Sequence, residues 1–421
     1  MSSNALSLAA LDAVVATLPD NGLSAARRAA VDKLRKDGLP GLRDEDWKYT
    51  DLSSVVDITN AWLDSGGEAA KPMEFRAPES IDAHWVRIAN GQVDDASLAS
   101  LPDGVSIERL SSAATNLAPA GRLGDLNIAL LHDGLKISID DGTTLQKPVG
   151  ILVFDEVDRA GVSQVRIDIE VGQGSHARFV EYQASGGEAD LFSNSVINLT
   201  VAPGAQADHV RIQSRDRRHN QTSHMYVNVG RDSRFRHASF DIGGNLVRND
   251  LVVDITSPGA EAEFGGLYLV GDGQHIDNHT RVDHRVGPAI SRQEYRGILD
   301  GRARGVWNGK AIVHEGADGT DAEQANHNLL VSKKAEIDAK PELEIYADDV
   351  KCAHGTTVGQ LDETALFYLR TRGLSRRDAR QLLTRAFAQA SIDRTPIKQL
   401  HEFLESAVAA KLRELMHEDE Q

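Results

Sequence analysis

The stretch Asn198-Leu199-Thr200-Val201-Ala202-Pro203-Gly204 is one example of a pattern that recurs along the middle of this 421-residue chain. A short run rich in Val, Ile and Leu ends at a turn that contains Gly or Pro, and a more polar run follows. Such turns recur in steps of about 26 to 31 residues, at 172–174, 203–204, 230–232, 258–259, 287–288 and 316–319. This spacing is typical of stacked supersecondary units. We therefore expect a β-solenoid, in which each turn of chain supplies short strands and buries its neighbour's face.

The residues between these turns have the period of β-strands. From about residue 127 to residue 349, β-branched residues alternate with polar ones or form short apolar runs, as at 165–171, 207–212, 250–255 and 304–313. A β-sandwich would have a similar number of strands, but it would not explain the recurring Gly or Pro step. Upstream of this region, one further strand is predicted at His84–Ala89.

Helical periodicity precedes the β-rich region. Apolar residues at helical spacing predict helices at 4–17 and 23–37, and Gly38 and Pro40 end the second helix. The run from Arg43 to Thr50 that follows is both polar and aromatic. Its Trp47 and Tyr49 could cap a small helical core or mark a ligand site, and we interpret them as packing residues by default.

Three helices are predicted after the β-rich region. A helix at 362–372 ends at Gly373, and Ser375 with Asp378 has the pattern of a capping box for the next helix. Thr395-Pro396 predicts the start of the third, with Pro at the first helical position. We therefore divide the chain into an N-terminal helical region, a mixed connecting region, a solenoid core and a C-terminal helical region, at residues 1–64, 65–126, 127–359 and 360–421.

Composition restricts the class of protein. Charged residues make up 26% of the chain and hydrophobic ones 41%, which is typical of soluble globular proteins. The formal charge of −17 argues against nucleic acid or an anionic membrane as the main partner, since both need concentrated Lys and Arg. A single cysteine excludes an internal disulfide. Because Met1–Asp20 lacks the basic segment of a signal peptide and no run is long enough to span a membrane, we expect a cytoplasmic protein.

The only cysteine, Cys352, has a histidine two positions on, His354. Thiolate and imidazole are common ligands for soft and borderline metals, and in an extended segment the two side chains point to the same side. Iron–sulfur clusters normally take four protein ligands, so further ligands would have to come from another chain. The alternative is a cysteine packed as a small hydrophobe beside a hydrogen-bonded histidine.

Other candidate motifs are weaker. His275, His279 and His284 resemble a metal motif, but on a strand His284 falls on the opposite face from the other two. No phosphate-binding Gly-rich loop and no nucleophile-elbow motif is present in the sequence. We therefore expect no ATPase or hydrolase activity in this chain.

Three stretches together resemble a known family. They are Asp349–Leu369 (DVKCAHGTTVGQLDETALFYL), Glu45–Thr50 (EDWKYT) and Arg304–Val313 with its Trp-Asn-Gly. Together with the Arg372-Gly373 pair and the helix after it, they are similar to the SufD group of the SufB/SufD family in the SUF iron–sulfur cluster assembly machinery. The resemblance implies a right-handed parallel β-helix flanked by helical regions, and a non-enzymatic scaffold subunit of an ATP-driven complex.

The resemblance also implies partners and a site. It implies pairing with the paralogue SufB through the last solenoid turns, docking of the ABC-type ATPase SufC on the helical tail, and a homodimer of the isolated chain. His354, with Cys352 beside it, would hold iron or a nascent iron–sulfur cluster shared with SufB, during cluster formation and iron acquisition. No cofactor is expected in the isolated chain. The predicted docking residues are Leu366, Leu369, Leu382, Leu383 and Phe387.

Two alternatives remain open at this point. A polyuronate-active β-helix enzyme would need an acidic metal site, and the sequence has no clear cluster of that kind. A purely structural partner of SufB and SufC would bind neither iron nor sulfide.

Overall fold

Two stacked β-sheets and two groups of helices make up the computed structural model, which describes residues 5–68, 75–112, 117 and 121–416. The helices are α1 (Leu8–Thr17), α2 (Ser24–Asp37), α3 (Ser53–Asp64), α4 (Gly121–Leu130), α5 (Glu363–Thr371), α6 (Arg376–Asp393) and α7 (His401–Leu415). The strands are β1 (His84–Ala89), β2 (Gln92–Val93), β3 (Val105–Arg109), β4 (Leu135–Ile139), β5 (Val149–Glu156), β6 (Gly161–Val171), β7 (His176–Gly186), β8 (Leu191–Val201), β9 (Gln206–Ser214), β10 (His219–Val229), β11 (Arg234–Asp241), β12 (Leu246–Ile255), β13 (Glu261–Val270), β14 (His275–His284), β15 (Ile290–Leu299), β16 (Arg304–Val313), β17 (Asp321–Leu330), β18 (Glu336–Ile345) and β19 (Lys351–Gly359).

Successive strands alternate between the two sheets. From β4 onward, odd-numbered strands join a sheet of ten (sheet one) and even-numbered strands a sheet of nine (sheet two). Each strand pairs in parallel with the strand two positions later, one turn of chain further on. The chain is therefore a parallel β-solenoid of about 8 turns, which confirms the predicted fold class.

The turns stack as the strands do, which explains the recurring Gly and Pro. The amide of Gly174 donates to the carbonyl of Pro203 (3.1 Å), and the amide of Gly204 donates to the carbonyl of Arg231 (2.8 Å). Both glycines have positive φ, +66° and +69°, a conformation that residues with a Cβ rarely adopt. A turn that must both reverse the chain and bond the next turn therefore selects Gly at this position.

Inward-facing side chains form columns that run across the strands. Val171, Val201, Val229 and Ile255 occupy equivalent positions on successive turns, and all four are buried. Each such burial contributes roughly 1.5–3 kcal/mol. The solenoid is therefore held together by contacts between turns, with every turn covering the one before it.

The N-terminal helices pack against the outer face of sheet two. α1 and α2 confirm the two predicted helices, and Gly38, with φ +63°, ends the second one. Their apolar residues form one cluster with α3, α4 and the sheet residues Phe192 and Leu246. Strand β1 confirms the strand predicted at His84–Ala89, and it pairs in parallel with β5. The segment after residue 65 thus contributes to sheet one.

The C-terminal helices pack against the outer face of sheet one. Ile392, Leu404 and Leu412 lie in one buried cluster with Phe240 and Leu267 of that sheet. The capping box is confirmed at α6, where the Ser375 hydroxyl accepts from the Asp378 amide at 3.1 Å.

The start predicted for the last helix is wrong. Pro396 lies in the loop between α6 and α7, and a short 3₁₀ turn at Lys398–Leu400 precedes α7. The Thr395 amide instead donates to the Ile392 carbonyl (3.0 Å), so Thr395 closes the preceding helix. The buried side chain of Ile397 then anchors the loop. Tertiary packing therefore overrides the local preference of Pro for a helix start.

Candidate site at the open end of the solenoid

Among the described residues, no further turn covers the last turn of the solenoid. β19 is the outermost strand of sheet one and β18 that of sheet two, so each pairs with one neighbour among the described strands. An edge strand of this kind presents unpaired backbone amides and carbonyls, a template for pairing with another chain. We call this end of the molecule the open end.

Cys352 and His354 lie on β19 and continue two inward-facing columns. Cys352 is in register with Ala322, and His354 with Gln324. Both neighbours on β17 are buried inside the solenoid, whereas Cys352 is half-buried and His354 exposed. Because neighbouring residues in register point to the same side of a sheet, both side chains face the axis of the solenoid at its open end. The sequence-based prediction that they share a side is confirmed.

Apolar side chains also lie at the open end. Val358 on β19 is 53% exposed, and Ile345 on β18 is also exposed. The residues in register with them on the preceding turn, Asn328 and Val313, are both buried. Ile337 and Leu343 on β18 are only partly buried against the core. The open end therefore exposes the last layer of the hydrophobic core, and this layer includes the Cys352 thiol and the His354 imidazole.

The thiol is not preformed as a thiolate. Burial raises the pKa of Cys352, and a hydrogen bond with the Ala322 backbone offsets this only in part. A metal ion would therefore have to displace the thiol proton. Within the described part of the chain, no group of three or more His, Cys, Asp and Glu side chains is placed to hold a metal ion. The pair can supply two ligands and needs others from outside.

Two family models match this chain. The SUF system FeS cluster assembly SufBD core domain matches residues 154–387, and the SufBD protein N-terminal region matches residues 12–151. The chain belongs to the SufBD family. The resemblance inferred from the motifs at Glu45–Thr50 and Asp349–Leu369 is thereby confirmed.

Relatives of this SufBD chain are similar along most of its length. An iron–sulfur cluster assembly SufBD family protein of Synechocystis is 31% identical, over 95% of this chain and 93% of that protein. The iron–sulfur cluster assembly protein SufD of Escherichia coli is 28% identical, over 85% of each chain. SufD of Bacillus subtilis is 25% identical, over 69% of this chain and 67% of that one. Family membership therefore associates the chain with iron–sulfur cluster assembly.

The C-terminal helices of the SufBD chain present an apolar surface that only partly coincides with the predicted docking residues. Leu366 is 3% exposed, so its side chain lies inside the chain. Phe387 is half-buried beneath the Arg296 guanidinium, 5.0 Å from the ring centroid. Leu369 and Leu383 are also half-buried, and Leu382 alone of the five is exposed.

Two aromatic residues that the sequence analysis did not select dominate this surface. Phe367 is 68% exposed and Tyr368 is similarly open to solvent. They lie on α5 outside its buried stripe. Helical periodicity does not show which face of α5 packs, so the sequence carries no signal for their exposure.

The three histidines at 275, 279 and 284 do not form a site. His284 Nε2 contacts the Ser291 hydroxyl inside the solenoid (2.8 Å), so it faces away from the other two, as predicted. His275 Nε2 contacts the Thr50 hydroxyl (2.9 Å), and His279 Nε2 lies 3.2 Å from Asp277.

The middle of the solenoid contains a buried polar network that was not predicted from the sequence. Arg211 makes a two-point contact with Asp241 (3.0 and 3.1 Å), and the Nδ1 atoms of His209 and His237 lie 3.0 Å apart. Burial raises the pKa of Glu181 and lowers that of His209 to about 3. The signal was polar residues at every second position of β9, which indicated an inner face that is not wholly apolar.

The described helices include none that is both long enough and apolar enough to span a bilayer.

Proposed function

We propose that this chain is a SufD-type scaffold subunit that pairs with a SufB paralogue and the ATPase SufC during de novo iron–sulfur cluster formation and iron acquisition. In this proposal it performs no chemistry alone, works in the cytoplasm, and contributes ligands to an iron or nascent-cluster site shared with SufB. The similarity to SufD of E. coli over 85% of each chain supports this role.

The observation that carries the proposal is the open end. The open end combines two edge strands, exposed apolar side chains and an incomplete ligand pair. Docking of a single partner chain would complete all three. A partner chain that docked on β18 and β19 would cover Val358, pair the backbone edges and bring the missing ligands to Cys352 and His354. Without a SufB partner, a second copy of this chain would meet the same requirement, so a homodimer is expected for the isolated protein.

The iron or cluster is the substrate of this assembly. His354 offers a neutral imidazole, whose lone pair binds iron without releasing a proton from the ligating nitrogen. Cys352 is the second ligand, or a sulfur relay, and it binds after its thiol proton is lost. ATP-driven approach of SufC subunits would pull on the helices that carry Phe367 and Leu382, and would thereby open the interface at β19 to admit iron and sulfide.

The test is co-expression with the host's SufB and SufC, comparing wild type with His354→Ala, Cys352→Ala and His327→Ala. His327 is a matched control, because it lies on the adjacent strand β17 but contacts Thr357 on the outer face (2.9 Å). The measurements are subunit stoichiometry and anaerobic iron and sulfide content. We expect an intact complex with reduced iron and sulfide for His354→Ala and a normal one for His327→Ala. An intact His354→Ala complex with normal clusters would make the chain a structural subunit only.

A further inference from the structure

A second cleft lies on the outer face of sheet two, away from the open end. Its volume is about 560 Å³, within the range of roughly 300–1,000 Å³ typical of small-molecule sites. The floor is formed by residues of the sheet-two strands β10, β12, β14, β16 and β18, and the segment around Glu45–Trp47 lies over it. We call it the roofed cleft.

The roof is the Glu45–Thr50 motif, and its attachment is specific. The Thr50 hydroxyl donates to Asp277 (2.5 Å) and contacts His275 (2.9 Å). Arg248, buried and paired with both Asp277 and Asp250, donates to the Asp46 carbonyl (2.8 Å) and stacks 4.4 Å from the centroid of the Trp47 ring. These contacts join residues about 200 positions apart, and they hold a segment whose regular structure is one 3₁₀ turn, Glu45–Trp47, above the sheet.

The lining of the roofed cleft is locally basic in an acidic protein. The cleft has five Arg and Lys side chains against four carboxylates, whereas the whole chain has 46 against 63. Arg248 and Asp250 pair with each other, which leaves four cations against three carboxylates in the lining. The lining therefore carries a net charge of +1, whereas the whole chain carries −17.

Two cations lie side by side on the floor. Arg281 and Lys310 are in register on β14 and β16, and both line the cleft. Like charges directly opposite each other destabilise a sheet. Each cation forms one ion pair, Arg281 with Asp283 (2.6 Å) and Lys310 with Glu344 (2.6 Å). Neither of these two carboxylates lines the cleft. An anion inside the cleft would lie between the two cations.

A third cation reaches the cleft from β18. Lys340 lies 3.4 Å from Glu45 of the roof and also contacts Glu342. The Glu45 side chain is 74% exposed. Exposed ion pairs of this kind contribute little to stability, commonly about 0–1 kcal/mol, so a multivalent anion would displace Glu45 from Lys340 at low cost.

We propose that the roofed cleft binds a small multivalent oxyanion, a phosphate or carboxylate compound, through Arg281, Lys310 and Lys340. The Glu45–Thr50 motif then has a function of its own, because it forms the lid of this site and supplies the carboxylate that the ligand replaces. The site is separate from Cys352 and His354, so the proposal stands or falls independently of the role of the open end.

The test is calorimetric titration of the isolated full-length chain at low ionic strength with two probes, inorganic pyrophosphate and tricarballylate. We expect one-to-one binding of at least one probe. Lys310→Gln removes a charge-assisted contact and should weaken binding about tenfold or more. Glu45→Gln removes one of the two carboxylates that contact Lys340 and should strengthen binding several-fold, a gain that misfolding cannot produce. Arg302→Gln is the matched control, because Arg302 pairs with Asp272 (3.0 Å) outside the cleft.

The probes also separate the two ligand classes. Binding of pyrophosphate alone assigns the cleft to phosphate compounds, binding of tricarballylate alone assigns it to carboxylates, and binding of both indicates recognition by charge. Absence of heat with both probes, or equal affinities for Lys310→Gln, Glu45→Gln and Arg302→Gln, would overturn the proposal.

Discussion

Cys352 lies directly beside Ala322 in the pairing of β19 with β17, yet Ala322 is fully buried and Cys352 only half-buried. The difference arises because β19 covers Ala322, whereas no described strand covers Cys352. The same contrast separates Asn328, buried on β17, from exposed Val358 on β19. The open end is therefore the place where the repeating architecture stops before its core is closed.

Charge placed at the open end should prevent pairing without unfolding the chain. Val358→Asp introduces a carboxylate among exposed apolar side chains, and a partner that buried it would have to desolvate it. We expect loss of the homodimer in sedimentation velocity, with an unchanged far-UV circular dichroism spectrum that shows the chain is still folded. Ala353→Asp on the outer side of the same strand is the control and should leave the dimer intact. A dimer that survived Val358→Asp would place the interface elsewhere.

The aromatic surface of α5 should carry ATPase docking. Truncating Phe367 and Tyr368 together to Ala removes two exposed rings, and large aromatic residues commonly dominate interface energies. The expected result is a marked drop in the SufC that co-purifies with the chain, while SufB stays bound. Leu42→Ala, a change at an exposed residue of the N-terminal region, should have no effect. Equal SufC recovery from both proteins would contradict this docking site.

Gly309 should be more sensitive to substitution than Gly355. A Cβ at Gly309 would lie 2.3 Å from the ring of buried Trp307, whereas a Cβ at Gly355 meets no other atom within 4 Å. Overpacking of this kind costs about 1–3 kcal/mol. Urea unfolding should therefore show a lower free energy of unfolding for Gly309→Ala and little change for Gly355→Ala. Similar values for both would mean that the Trp307 layer relaxes freely.

Stability should fall as the pH drops from about 6.5 to 4, partly through His284. Burial lowers the pKa of His284 to about 4, while an unfolded histidine titrates near 6.5. Between these values the unfolded chain binds the extra proton, so unfolding becomes easier by about 1.4 kcal/mol per pH unit for each such group. His284→Asn should reduce the slope of the free energy of unfolding against pH over this range. Equal slopes in wild type and His284→Asn would refute the assignment.

Much of the solenoid could be predicted from the sequence because its signals are local. Pro203-Gly204 marks a turn through backbone conformation alone, and the alternation at 165–171 marks a strand with one buried face. The placement of Cys352 and His354 on one side of an extended segment also followed from local geometry. Each of these features depends on residues close together in the chain.

The features that were missed depend on distant contacts. Nothing near Trp47 in the sequence indicates that it stacks on Arg248 or that a cleft lies beneath it. Thr395 closes one helix instead of opening the next because Ile397 is anchored in a core built partly by sheet one. The exposure of Phe367 and the burial of Leu366, its neighbour, were equally inaccessible, because helical periodicity alone does not identify which face packs.

The most direct measurement of the central claim is pulsed electron paramagnetic resonance on the reduced, cluster-loaded complex with SufB and SufC. If His354 binds the nascent cluster, the wild-type spectrum should contain a coupling from a ligating imidazole nitrogen. That coupling should disappear in His354→Ala and persist in His327→Ala. Identical nitrogen couplings in all three complexes would contradict the claim that the open end supplies a cluster ligand.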